Sequence, residues 1–226
     1  CQKCFVFRSH KRERPPLIPF EESEPFQTVG IDLMDMPLSI NGYKYVLVIV
    51  DHFSKFAMAV ALRYKTAEQA ADGLMTSFLK ECQFPERIIS DLGREFDNEV
   101  MRCLAEWIGV ELRFTMGYNS KFNGAAERVI QTLRRTIAKK MGPQDEWDKM
   151  LPYAVYAYNT VPHEATNETP VFLTRGRQPL VPSAIDCERE ISPMITIDDY
   201  KTELTTRIAA TAKEVRERLE EYRQAM

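Results

Sequence analysis

Nowhere in these 226 residues is there an apolar run long enough to cross a membrane. A span needs about 18 or more apolar residues in succession, whereas the run Tyr45 to Val50 stops at Asp51 and the run Phe56 to Leu62 stops at Arg63. The first residues, Cys1-Gln2-Lys3-Cys4, lack the charged-then-apolar layout of a secretory signal. Cysteine is sparse, at positions 1, 4, 82, 103 and 187. An odd count without a signal argues against a disulfide framework and for reduced thiols in an intracellular compartment. Positive charge is also lacking overall: the formal net charge is −3, so the basic excess usual in binders of polyanions is absent. No internal repeat is found.

What is present is ordinary for a soluble globular protein, 44% hydrophobic and 28% charged residues. The length allows one sizeable core with flanking pieces. The charge is unevenly spread. Lys121, Arg128, Arg134, Arg135, Lys139 and Lys140 face a single acid, Glu127, between positions 121 and 140, and residues 1–14 carry five basic residues against Glu13. Two basic patches on an acidic body are compatible with DNA. A chain that begins at Cys1 is expected to be a piece of something longer.

Residues 1–25 are basic, then proline-rich, then acidic, without periodicity, and read as a linker. Strands are expected at Thr28–Met34, Tyr43–Val50 and Phe56–Leu62, with Asn41-Gly42 as a hairpin turn between the first two. A helix over Ala67–Cys82 follows, with Thr66 and Gln69 as a capping box. Then come a short strand Arg87–Ser90, a helix capped by Asp97, and a fifth strand Val110–Phe114. Thr115–Asn123 is polar and aperiodic and reads as a mobile loop; helices over Gly124–Met141 and Asp145–Thr160 follow it. This order implies a mixed sheet with helices packed against it. The stretch Ile197–Met226 mixes both charge signs and reads as a projecting, solvated helix that connects or binds a partner.

Three acids stand out. Asp32 sits mid-strand in Val29-Gly30-Ile31-Asp32-Leu33, where burial of a carboxylate is costly without a compensating cation. Asp91 ends the apolar strand Ile88-Ile89-Ser90, and ligands favour the carboxyl ends of strands in open α/β sheets. Glu127 lies early in the long helix on a polar stripe with Asn123, Gln131 and Arg134. Singly, each also reads as an exposed or turn-forming acid. Together they offer hard oxygen ligands suited to Mg²⁺ or Mn²⁺. Two such ions about 4 Å apart clamp the attacking and leaving oxygens of an in-line phosphoryl displacement.

Asp91 and Glu127 are separated by 35 residues, and that interval resembles the Asp-Asp-35-Glu signature of retroviral and retrotransposon integrases. Asp91-Leu92-Gly93-Arg94-Glu95-Phe96 resembles the family's Asp-x-Gly-x-x-Phe, and Asn123-Gly124-Ala125-Ala126-Glu127-Arg128 its Asn-Gly-x-x-Glu-Arg. Val50-Asp51-His52-Phe53-Ser54-Lys55-Phe56 resembles the hairpin after the first acid. Tyr158-Asn159-Thr160, His163, Thr169-Pro170 and Gly176-Arg177-Gln178-Pro179 resemble the downstream segment of gypsy-type LTR elements. The likeness runs from about Phe26 to Pro179.

The resemblance implies an α/β chain of ribonuclease H-like fold, a five-stranded mixed sheet flanked by helices, with an extended C-terminal helix. It implies a catalytic core over residues 26–180, a connector and C-terminal helix over 181–226, and in 1–25 the remnant of an N-terminal zinc-binding module with a linker. Asp32, Asp91 and Glu127 would hold two Mg²⁺ or Mn²⁺ ions for processing 3′ ends of element DNA and joining them to target DNA. Lys121, Asn123, Arg128, Gln131 and Arg134 are candidate contacts to double-stranded DNA. Asn119-Ser120-Lys121-Phe122 departs from the family's His-Pro-Gln-Thr, which puts DNA contacts rather than chemistry in question. Cys1 and Cys4 resemble the closing pair of the zinc module, so zinc is expected only in a longer chain. A homo-oligomer acting in the nucleus, without membrane association, is implied. The alternatives are a ribonuclease H acting on RNA–DNA hybrids, and a domesticated, inactive integrase serving as a DNA-binding or interaction module.

Overall fold

The computed structural model describes residues 22–115, 120–140, 146–179 and 196–224; for residues 120–125, 127, 139 and 140 the description is of backbone only. Five strands form one sheet: β1 (Thr28–Asp35), β2 (Tyr45–Asp51), β3 (Ala57–Leu62), β4 (Arg87–Asp91) and β5 (Glu111–Thr115). Their order is β3-β2-β1-β4-β5. β1 is antiparallel to β2 and parallel to β4, β2 is antiparallel to β3, and β4 is parallel to β5. The carboxyl ends of β1, β3, β4 and β5 therefore share one end of the sheet. Six helices accompany it among the described residues: α1 (Ala67–Glu81), α2 (Glu99–Ile108), α3 (Ser120–Lys140), α4 (Trp147–Asn159), α5 (Pro170–Arg175) and α6 (Ile197–Gln224).

Strand alternation sorts the apolar side chains into two layers. Val29, Ile31, Leu47, Ile49 and Ile88 face α1 and α2, where they meet Leu74, Phe78, Phe96 and Met101. Met34, Val46, Val48 and Val50 face α3 and α4, against Ala126, Val129, Leu133, Ile137, Trp147 and Leu151. Each fully buried Leu, Ile or Phe contributes about 1.5–3 kcal/mol, so the two layers supply the main driving force on both sides of β1.

Local chemistry departs from expectation in several places. Thr66 caps α1 by accepting from the Gln69 N–H, but Gln69 does not reach back to complete a capping box; its Oε1 accepts from Arg63 and Tyr64 N–H instead. The second helix is capped by Asn98, whose Oδ1 accepts from Met101 N–H, rather than by Asp97. The helix bearing position 127 begins at Ser120, so residues 120–123 of the expected loop are helical, while 116–119 lie outside the described residues. α5 is an additional element that follows Thr169 as N-cap and Pro170 at its start.

α6 does not simply project. Val215 and Leu219, one turn apart, are buried with Phe53 and Ala165, and Leu173, Ala212 and Tyr222 pack around them. Arg216 donates through Nε and Nη2 to the Ser23 carbonyl, and Arg223 pairs with Glu22. Gly176, at φ +68°, lies so close to α6 that a Cβ there would meet Leu204 Cδ1 at 2.8 Å. No helix among the described residues is long and apolar enough to cross a membrane.

Candidate active site

The register fixes the relation between the first two acids. Gly30 of β1 lies beside Ile89 of β4, so two residues further along these parallel strands Asp32 falls beside Asp91. Side chains alternate between faces, which puts both on the α3 side with Met34, opposite to Ile31 and Ile88. Asp32 is half-buried and its Oδ1 accepts from the Leu33 N–H at 2.7 Å. Asp91 is exposed at the carboxyl edge of β4, and its Oδ1 accepts from the Gly93 N–H at 3.0 Å.

A side chain at Gly93 would push aside the neighbouring carboxylates. A Cβ there would sit 2.7 Å from Glu95 Oε1 and 2.9 Å from Asp91 Oδ1. The turn then closes through Phe96 and Asp97 N–H groups donating to the Gly93 carbonyl, at 2.9 and 2.8 Å. Phe96 drops fully into the core. The motif from Asp91 to Phe96 is thus an apolar anchor and a tight turn that together present one carboxylate.

Position 127 lies on α3, whose buried stripe is Ala126, Val129, Ile130, Leu133 and Ile137. At 100° per residue, 127 and 134 fall on the same flank of that stripe. Arg134 marks where the flank runs, because its Nη2 donates to the Asp35 carbonyl at the end of β1. Position 127 thus lies two turns, roughly 10 Å, before Arg134 on the flank of α3 that reaches β1. The Glu127 side chain lies outside the description, and among the described residues no group of three or more acids, histidines or cysteines gathers to hold a metal. The two aspartates nonetheless supply hard oxygen donors of the kind a divalent ion prefers.

Of the candidate DNA contacts, Gln131 and Arg134 are exposed, and the side chains of Lys121 and Asn123 lie outside the description. Arg128 is exposed but engaged: it donates to the Tyr222 hydroxyl at 3.1 Å and its guanidinium sits 5.7 Å from that ring's centre, so α6 holds it. Cys1 and Cys4 lie outside the described residues.

Sequence reading missed Lys65. It follows β3 at the same end of the sheet, and its Nζ pairs with Glu95 Oε1 at 2.8 Å. That hydrogen bond does most to raise the Lys65 pKa above the ordinary lysine value; burial opposes it, and the charges of Glu95, Asp35 and Asp91 add to it. Glu95 stood inside a quoted motif, but nothing in the sequence announced its partner thirty residues earlier.

The remaining motifs are structural. Asp51 is fully buried at the opposite end of the sheet and accepts from Phe26 N–H, Ser54 N–H and Ser54 Oγ. Burial pushes its pKa up, and those hydrogen bonds work against the rise. Asn159 acts as a strand substitute, accepting from the Ala57 N–H at 2.9 Å and donating to the Ala57 carbonyl at 2.8 Å on the edge strand β3.

Fold and site together define an α/β domain of ribonuclease H-like fold with carboxylates at the carboxyl end of its central strands. Residues 22–120 match the family model described as the integrase core domain. The retrovirus-related Pol polyprotein from transposon 412 of Drosophila melanogaster is 26% identical over 201 residues, 88% of this chain. The chain spans only 16% of that polyprotein's length. Among solved structures, the HTLV-2 integrase catalytic core domain in complex with magnesium, a trimeric form, superposes with a TM-score of 0.55 at 16% identity, covering 65% of this chain and 95% of that one. A chain of the simian T-cell lymphotropic virus intasome in complex with PP2A regulatory subunit B56 gamma gives 0.60 at 19% identity, covering 77% of this chain and 61% of that one. Residues 22–120 thus carry an integrase core domain, and the chain is similar to Pol polyproteins of retrotransposons and retroviruses.

Proposed function

We propose that this chain is the catalytic core of a metal-dependent polynucleotidyl transferase, which trims the 3′ ends of element DNA and joins them to target DNA. The reading rests above all on the register that sets Asp32 beside Asp91, with position 127 on the flank of α3 that reaches β1. Asp32, Asp91 and Glu127 would hold two Mg²⁺ or Mn²⁺ ions, which supply Lewis acidity and an activated oxygen nucleophile when bound.

The protein's own part is positional. β1, paired on both sides, holds Asp32 still, while the Gly93 N–H orients one oxygen of Asp91. Gln131 and Arg134 stand exposed along the helix flank where a DNA phosphate backbone would lie, and Lys121, Asn123 and Arg128 belong to the same helix. Salt-dependent phosphate contacts of this kind position DNA without reading sequence. The magnesium-bound trimeric form and the intasome among the structural neighbours support cation use and assembly as a homo-oligomer on double-stranded DNA. Action on chromosomal DNA would place the protein in the nucleus, and zinc would belong to a module built around Cys1 and Cys4 in a longer chain.

Strand rejoining on a branched DNA that mimics the integration product tests this directly. Activity with Mg²⁺ or Mn²⁺ that is lost in Asp91→Asn, with the melting temperature retained, is the expected result. Equal activity of parent and mutant would sink the metal assignment. Tight DNA binding without any turnover, unchanged by Asp91→Asn, would favour the domesticated binding module instead.

A further inference from the structure

We infer that Lys65 and Glu95 form a positioning pair for Asp91, an inference that rests on the metal-site reading above. The Glu95 carboxylate and Asp91 Oδ1 approach the same point beside Gly93 from two sides, 2.7 and 2.9 Å from where a Cβ would be. Two carboxylates so placed repel one another and compete for any cation. Lys65 resolves the conflict. Its ammonium takes the Glu95 oxygen that faces Gly93, at 2.8 Å.

The pair is not an ordinary surface contact. The Glu95 side chain is only 9% exposed, though that of Lys65 is 41% exposed. A carboxylate withdrawn from water to that degree needs its counterion. Lys65 comes from the β3–α1 connection and Glu95 from the β4–α2 turn, so the bridge ties two separate segments at the carboxyl end of the sheet. With Glu95 held, the turn is restrained so that the Gly93 N–H keeps its aim at Asp91 Oδ1. With Glu95 released, its carboxylate is free to move against Asp91 or to take up the cation itself. Partners that orient a metal ligand from outside the coordination shell typically change metal affinity 10–100-fold when removed.

The sign of the mutational effects separates positioning from a mere field effect. Were the charges acting only through space, removing the positive Lys65 would tighten cation binding and removing the negative Glu95 would weaken it. A positioning pair predicts weakening in both cases. The experiment is a Mn²⁺ titration of the full chain, read by loss of the free-ion electron paramagnetic resonance signal. It compares the parent with Lys65→Met, Glu95→Gln, the double variant, Lys65→Arg and Asp91→Asn, with melting temperatures measured alongside.

Each single variant should weaken Mn²⁺ binding roughly tenfold. The double variant should be no worse than the weaker single, because the two residues act as one unit. Lys65→Arg, which keeps the ion pair, should recover most of the affinity, and melting temperatures should stay near the parent's. Opposite signs for the two singles, additive losses, or parent-like affinity in both would overturn the pair while Asp91→Asn still abolishes binding. Parent-like binding by Asp91→Asn, or no binding by the parent, would overturn both this inference and the metal-site reading beneath it.

Discussion

Replacing Leu219 by Ala should release α6 from the core without unfolding the core. Within a helix of 28 residues, only Val215 and Leu219 are buried, at 1% and 3% exposure. Truncating a buried leucine costs roughly 2–5 kcal/mol, and the lower end applies where the surroundings can collapse, as they can beneath a surface helix. The polar ties add less on balance: in the part-buried pair of Arg223 with Glu22, whose carboxylate side chain is only 2% exposed, desolvation offsets much of the attraction. A loss of about 2–3 kcal/mol therefore removes a large part of what docks the helix. At about 1.4 kcal/mol per tenfold, hydrogen-exchange protection over α6 should fall roughly 30- to 150-fold. Mass spectrometry of exchange on the full chain reads this peptide by peptide, with β2 as the internal standard and Ile197→Ala, at a position 74% exposed, as the control. Equal loss of protection in α6 and β2 would mean that the helix unfolds only with the core. No loss in either would mean that Leu219 carries no docking energy. Either result refutes the reasoning.

Three further outcomes follow from the same structure. Asn159→Ala strips two buried backbone partners from Ala57 and should cost about 2–3 kcal/mol in urea unfolding; a change below about 0.5 kcal/mol would show that β3 does not rely on it. Gly93→Ala forces a methyl group against the Asp91 and Glu95 carboxylates, so strand joining should fall at least tenfold with little change in melting temperature, whereas parent-like joining would deny the turn any part in presenting Asp91. His163 has its pKa pushed down to about 4 by burial and by the charges of Lys55 and Arg128, while its Nδ1 accepts from the Ala165 N–H. Because its unfolded value is about 6.5, the unfolded chain takes up a proton that the folded chain refuses. Stability should fall as pH drops from about 6.5 towards 4, and His163→Gln should flatten that part of the pH profile; an equally steep profile would assign the loss to other groups.

Local patterns carried much of the fold. The alternation in Val29–Leu33, the apolar run before Asp51 and the stripe Ala126–Ile137 were enough to set strands, faces and the long helix, because periodicity reports which side is buried. Spacing singled out Asp32, Asp91 and Glu127 as a ligand set that awaits its test, and Gly93 and Phe96 stood in a motif that the structure shows as a tight turn anchored by a buried ring. Docking of α6 was not legible, since two buried side chains among so many charged ones leave no amphipathic signal. Lys65 was hidden for another reason: its partner is set by the parallel crossover from β3 through α1 to β4 and not by any sequence interval. The six-residue α5 is too short for periodicity to declare it.

The two aspartates are mounted differently, and that difference divides labour between them. Asp32 sits inside the eight-residue central strand β1, which is paired with β2 from Val29 to Asp35 and with β4 from Thr28 to Gly30. Asp91 stands at the last residue of a shorter strand, followed at once by a turn. If the proposed site holds cations, it would have a firmer jaw at Asp32 and a softer one at Asp91. Its tolerance for different cations would then depend on the stiffness of the six residues from Asp91 to Phe96 more than on that of the sheet.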